Sequence, residues 1–60
     1  MNYQYHLANK QFAEALRVAE RTIYLDAYKY TSKNQVQTAR LLGISRGTLR
    51  SRLKLYGELI

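Results

Sequence analysis

The chain predicts an all-α protein of three helices, a long one followed by two short ones that meet at a sharp corner. Three observations carry this. Apolar residues recur at intervals of three and four through residues 9–30. Two shorter segments of the same period follow, over residues 33–42 and 46–56, parted by Gly43-Ile44-Ser45. No stretch alternates apolar and polar residues over a useful strand length, and there is no proline to interrupt a helix.

The first helix is expected over residues 9–30, with Asn9 as its N-cap and residues 1–8 as a loosely packed lead-in. Phe12, Leu16, Ala19, Ile23, Ala27 and Tyr30 lie on one stripe, and Ala8, Ala15, Val18, Leu25 and Tyr28 on a second beside it. Two apolar stripes need two partners. One is the rest of the chain; the other is the same helix in a second subunit, and the second stripe is assigned to that dimer interface. Size argues the same way. Sixty residues make one domain, residues 1–60, and Met1 fits the start of a complete small protein. A domain this short buries only about 60% of the surface its unfolded chain exposes. Without cysteine there is no disulfide to help, so self-association is the expected reinforcement.

The second helix is expected from Lys33 to Leu42. Ser32 and Gln35 stand at capping-box spacing before it, and Val36, Ala39, Leu42 and to a lesser extent Leu41 turn inward. Gly43 ends it in a left-handed conformation. Ser45 caps the third helix, which runs to about Tyr56 and is stopped by Gly57. Ile44 just before the cap and Leu49 four residues after it have hydrophobic-staple spacing. Leu49, Leu53 and Tyr56 form the inner stripe of this helix, while the tail Glu58-Leu59-Ile60 has no assigned place.

A helix, a short corner and a second helix make a helix-turn-helix. Ala39 is small where the helices cross, Gly43 permits the turn, Ile44 fills the corner and Leu49 pins the second helix, leaving its N-terminal end outward. That end reaches base edges in a DNA major groove. Charge agrees. Residues 1–30 carry a net +1, and residues 31–60 carry +5, with Arg46, Arg50, Arg52 and Lys54 on the last helix alone. Arg46 in the first turn opposes the helix dipole at a cost of roughly 0.3–1 kcal/mol, which an external acceptor would offset. It is the expected base reader, because arginine donates two parallel hydrogen bonds to guanine. Arg50 is expected on a base or a phosphate, and Thr48 on a phosphate or a thymine methyl. Ser45 doubles as cap and contact, and Arg52 and Lys54 meet phosphates. Gly47 lets the helix lie close to the duplex.

Tyr30-Thr31, Asn34-Gln35, Gly43-Ile44, Arg46-Gly47-Thr48-Leu49-Arg50, Leu53-Lys54 and Tyr56-Gly57 resemble the C-terminal domain of the Fis family, the factors for inversion stimulation. Thr38–Gly43 is similar to the corresponding phrase in the DNA-binding domains of NtrC-type activators. The resemblance implies a homodimer built on the long helix, with paired recognition helices entering successive major grooves of bent DNA. It makes Arg46 the main guanine reader and Ser45, Thr48, Arg50, Arg52 and Lys54 flanking contacts. It adds Gln35 at the start of the preceding helix. Val36, Gln37, Ser45 and Ser51 depart from the family pattern at polar or basic positions, which implies fewer phosphate contacts and a shallower salt dependence.

The remaining residues narrow the choice. One histidine, His6, and four scattered acids build no catalytic or metal site, so neither an enzyme nor a cofactor is expected, and no small-molecule ligand is evident. No segment has the ~18 apolar residues of a membrane span, and the start lacks a signal-peptide pattern, so a cytoplasmic, nucleoid-associated protein is expected. Tyr28, Tyr30 and Tyr56 read as core residues and Tyr3, Tyr5 and Tyr24 as interface residues. Glu14 and Arg17 form one surface ion pair. The expected protein is thus a sequence-specific, homodimeric regulator or bending factor of double-stranded DNA. The alternative is a small interaction protein that binds another transcription regulator through residues 8–30.

Overall fold

The computed structural model describes the backbone of residues 3–59 and the side chains of residues 10–59. Three helices follow in order: α1 over Tyr3–Tyr30, α2 over Gln35–Leu42 and α3 over Arg46–Leu55. No strand occurs among the described residues, so the all-α expectation holds. The side chains of Tyr3, Tyr5, His6 and Ala8 lie outside the described set, Ala8 with the interface role assigned to it.

α1 begins six residues before the expected cap, and Asn9 sits inside it. Nothing in residues 3–8 stops a helix, since neither glycine nor proline occurs there. At its other end, Lys33 N–H donates to Tyr28 O at 2.7 Å and Ser32 N–H to Lys29 O at 3.0 Å. These bonds satisfy terminal carbonyls while Ser32 and Lys33 adopt left-handed φ values of 57° and 65°. Ser32 is therefore not the cap of the next helix. Asn34 takes that place, its Oδ1 accepting from Gln37 N–H at 2.9 Å from an extended backbone. α2 accordingly starts at Gln35 instead of Lys33.

Leu49 and Leu53 of α3 are completely buried, with Ala39 of α2 and Tyr28 of α1 closing around them. Tyr24, Leu25, Leu42, Ile44 and Leu59 pack on this centre. Leu59 arrives because Gly57 turns the chain at φ 82° and Glu58 N–H donates to Leu53 O at 2.9 Å. The tail that the sequence left without a place is thus part of the core's cover.

Docking of the short helices on the C-terminal third of α1 decides which of its stripes faces inward. Tyr28, assigned to the dimer interface, is only 6% exposed and is covered by its own chain. Leu25 is half-buried on the same core. Both are corrections to the expected interface, and both follow from the space beside α1 being filled by α2 and α3. Ala15 and Val18 stay exposed, and so do Phe12, Leu16 and Ile23 of the first stripe. Tyr30 is 82% exposed and is no core residue. Val36 and Leu41 also face outward, because only Ala39 and, in part, Leu42 lie on the side of α2 that meets the leucines. Tyr24, expected at an interface, instead packs on Tyr56 with ring centroids 5.9 Å apart.

One polar group is sealed inside. Thr38 is fully buried, its Oγ1 donating to Asn34 O at 2.7 Å and sharing a hydrogen bond with Thr31 Oγ1. Thr31 Oγ1 also lies 3.0 Å from Tyr28 O and accepts from Asn34 N–H at 3.2 Å. The pair ties the end of α1 to the start of α2 across the turn. Thr38→Val keeps the shape and removes the hydroxyl. It should cost about 0.5–1.5 kcal/mol, read in thermal melts as a lowering of several degrees.

Candidate nucleic-acid interface

The corner between α2 and α3 is built from local chemistry. Gly43 has φ 69° and ψ 32°, a conformation that strains any residue with a Cβ. Its N–H bonds back to Arg40 O, and Ile44 N–H bonds to Ala39 O at 3.0 Å, which satisfies the last carbonyls of α2. Ser45 then caps α3, its Oγ accepting from Thr48 N–H at 3.1 Å. Ile44 and Leu49 both reach the core, as staple spacing requires. α3 is held from behind by two buried leucines and at its start by a cap.

The opposite side of α3 is open. Arg46, Gly47, Thr48, Arg50, Ser51, Arg52 and Lys54 are all exposed, and the helix carries four cations and no anion. Among the described residues, no hydrogen bond or ion pair engages the Arg46 side chain. A Cβ placed on Gly47 would meet nothing within 4 Å, so the chain's own packing does not require glycine there. The space outside Gly47 is open to a second molecule.

Three contacts group the exposed residues into units. Arg50 Nη1 donates to Gln35 Oε1 at 3.0 Å, so the first residue of α2 and the middle of α3 form one polar pair. Ser45 Oγ donates to Thr48 Oγ1 at 2.9 Å, which leaves the Thr48 proton available to a further acceptor. Arg52 Nη2 stands 3.3 Å from Glu20 Oε1 of α1. Sequence reasoning named Gln35, Arg50 and Arg52 singly and did not consider Glu20 as a partner of any of them. These partners are 15 and 32 positions apart in the chain, too far for a helical spacing rule to register.

Elsewhere the molecule offers little chemistry. Among the described residues, no cluster of His, Cys, Asp and Glu could hold a metal ion, and no helix is long and apolar enough to cross a membrane. A hollow of about 310 Å³ at the end of α1 is lined by Leu25, Asp26, Tyr28, Lys29, Lys33 and Glu58, away from the open side of α3.

Residues 29–56 match the family described as bacterial regulatory protein, Fis family. The chain is 39% identical over 54 residues to the Sigma54-dependent transcriptional activator SfnR of Pseudomonas putida, across 90% of this chain and 15% of the activator. It is 37% identical over 60 residues to the DNA-binding protein Fis of Vibrio atlanticus, across 93% of this chain and 61% of that protein. Over 29 residues it is 59% identical to the DNA-binding protein Fis of Haemophilus influenzae, across 48% and 29% of the two chains. The chain therefore spans less than two thirds of the length of each of these relatives. No solved structure matches it significantly.

Proposed function

The chain carries a helix-turn-helix domain of the Fis family over residues 29–56, and on that premise we propose that it is a DNA-binding transcription regulator, not an enzyme, acting as a homodimer that reads the major groove with α3. The observation that carries this is the start of α3. A fixed, outward-facing helix end presents an arginine that no group of its own chain engages, beside a glycine whose outer side is open. In this reading Arg46 pairs with guanine. Thr48 contacts the flanking backbone or a thymine methyl, with Ser45 positioned by the bond between them. Arg50, steadied by Gln35, and Lys54 clamp phosphates, which set register without reading sequence. A protein so engaged resides on the nucleoid in the cytoplasm.

Titrating duplex DNA with the protein in a mobility-shift assay tests the proposal. Binding should weaken steeply between about 50 and 200 mM salt as phosphate contacts are lost. No shift at low salt, or a shift indifferent to salt, would refute it.

The homodimer rests on α1. Phe12, Leu16 and Ile23 remain more than half exposed along one stripe. A helix of 28 residues is about 42 Å long, and α2 and α3 cover only its C-terminal part. Apolar residues repeated along an uncovered helix are the pattern of a helix that packs on another. The likeness to the Vibrio atlanticus protein spans 93% of the chain and so includes this helix. Ile23→Asp should convert a dimer into a monomer in sedimentation equilibrium; a wild-type monomer at micromolar concentration would contradict the assignment. The same exposed stripe also supports the second reading, an interaction protein that binds another regulator. In that case Ile23→Asp removes the activity and Arg46→Ala leaves it intact.

A further inference from the structure

Of the four cations on α3, Arg52 is the one held by an acid. Its guanidinium lies 3.3 Å from the Glu20 carboxylate of α1, and the two side chains are 44% and 41% exposed. Glu14, one turn and a half earlier on α1, pairs with its own neighbour Arg17 at 2.7 Å, whereas Glu20 reaches across to α3. Glu20, Arg52 and Arg17 border one small hollow with Leu55 and Tyr56. A carboxylate and a phosphate present the same kind of acceptor to arginine and compete for it. A pair this exposed is screened by water and yields readily to a stronger anion.

Resting on the DNA-binding reading above, we propose that Glu20 is an affinity-limiting residue: it occupies Arg52 and keeps that cation from the DNA backbone. Its effect is twofold. Arg52 must leave Glu20 to reach a phosphate, and the freed carboxylate then stands near the phosphates and repels them. The protein thereby carries a cation on its recognition helix that contributes little to binding while Glu20 is charged. Glu20 touches no base and no phosphate; it acts through Arg52.

Mobility-shift titrations of the full chain with one duplex, at several salt concentrations, test this with four variants. Glu20→Gln should tighten binding by roughly threefold or more at low salt, and the log–log salt slope should steepen by about 0.9 per protomer. Arg52→Ala should weaken wild-type binding little but abolish the gain in the Glu20→Gln background, since the two residues act as one unit. Asp26→Asn removes the same charge from the same helix away from Arg52, and it should produce less than half of the gain. Melting temperatures are recorded for each variant. An unchanged affinity in Glu20→Gln overturns the proposal. So does an equal gain in Asp26→Asn, which would make the effect one of overall charge. A lowered affinity together with a lowered melting temperature also overturns it, because the pair would then be a strut fixing α3 on α1. If the wild-type chain binds no duplex at all, the DNA-binding reading itself fails, an outcome distinct from the other three.

Discussion

Arg46→Ala is expected to weaken duplex binding by about 5- to 150-fold per protomer, the equivalent of the roughly 1–3 kcal/mol that a bidentate arginine–guanine contact supplies. In a homodimer the loss applies at both half-sites, so specific binding should fall to the level of nonspecific association. The variant should fold normally. Arg46 is exposed in the first turn of α3 and makes no contact within the described residues. Removing a cation from that end of the helix relieves an unfavourable dipole interaction worth about 0.3–1 kcal/mol. Melting temperature should therefore stay level or rise slightly while affinity collapses. Arg46→Lys separates charge from recognition. It retains the cation but not the planar fork, so it should keep most salt-dependent binding and lose preference among sequences. Equal binding by wild type and Arg46→Ala would remove this residue from the interface.

The other large effect concerns folding. Leu49→Ala or Leu53→Ala deletes a completely buried side chain from a very small core. Such truncations cost about 2–5 kcal/mol through lost transfer energy and the cavity left behind. Small domains have about 5 kcal/mol in total, so either variant should lack a cooperative thermal transition and lose much of its helical circular dichroism at 25 °C. Leu55 sits on the same helix, two residues past Leu53, and is 70% exposed. Leu55→Ala should change stability by no more than about 0.5 kcal/mol. A melt for Leu53→Ala that matches Leu55→Ala would mean that the core has been placed on the wrong face of α3.

What the sequence revealed depended on how locally each feature is encoded. Gly43, Ile44, Ser45 and Leu49 act on neighbours within five residues, and the turn, cap and staple they predict are present. The capping of α2 was misread because Ser32 and Asn34 are both able caps at short range. The choice fell to Asn34 once Ser32 and Lys33 entered left-handed conformations to close α1. Periodicity showed that α1 has two apolar stripes without showing which one meets the short helices, since either is apolar enough. Tyr24, Leu25 and Tyr28 proved to be the docking surface, and Phe12, Leu16 and Ile23 the uncovered one. At the candidate interface, the residue types on α3 were legible from charge and wheel position. The Arg50–Gln35 and Arg52–Glu20 pairs were not, because they exist only after three helices have packed.

Selection of bound duplexes from a random pool tests most directly whether the outward tip of α3 reads bases. The proposed mechanism predicts that wild-type protein enriches a two-fold symmetric sequence with one guanine per half-site, and that Arg46→Lys binds without enriching that guanine. Recovery of unenriched sequence by the wild type, or of the same guanine by the Arg46→Lys variant, would contradict it.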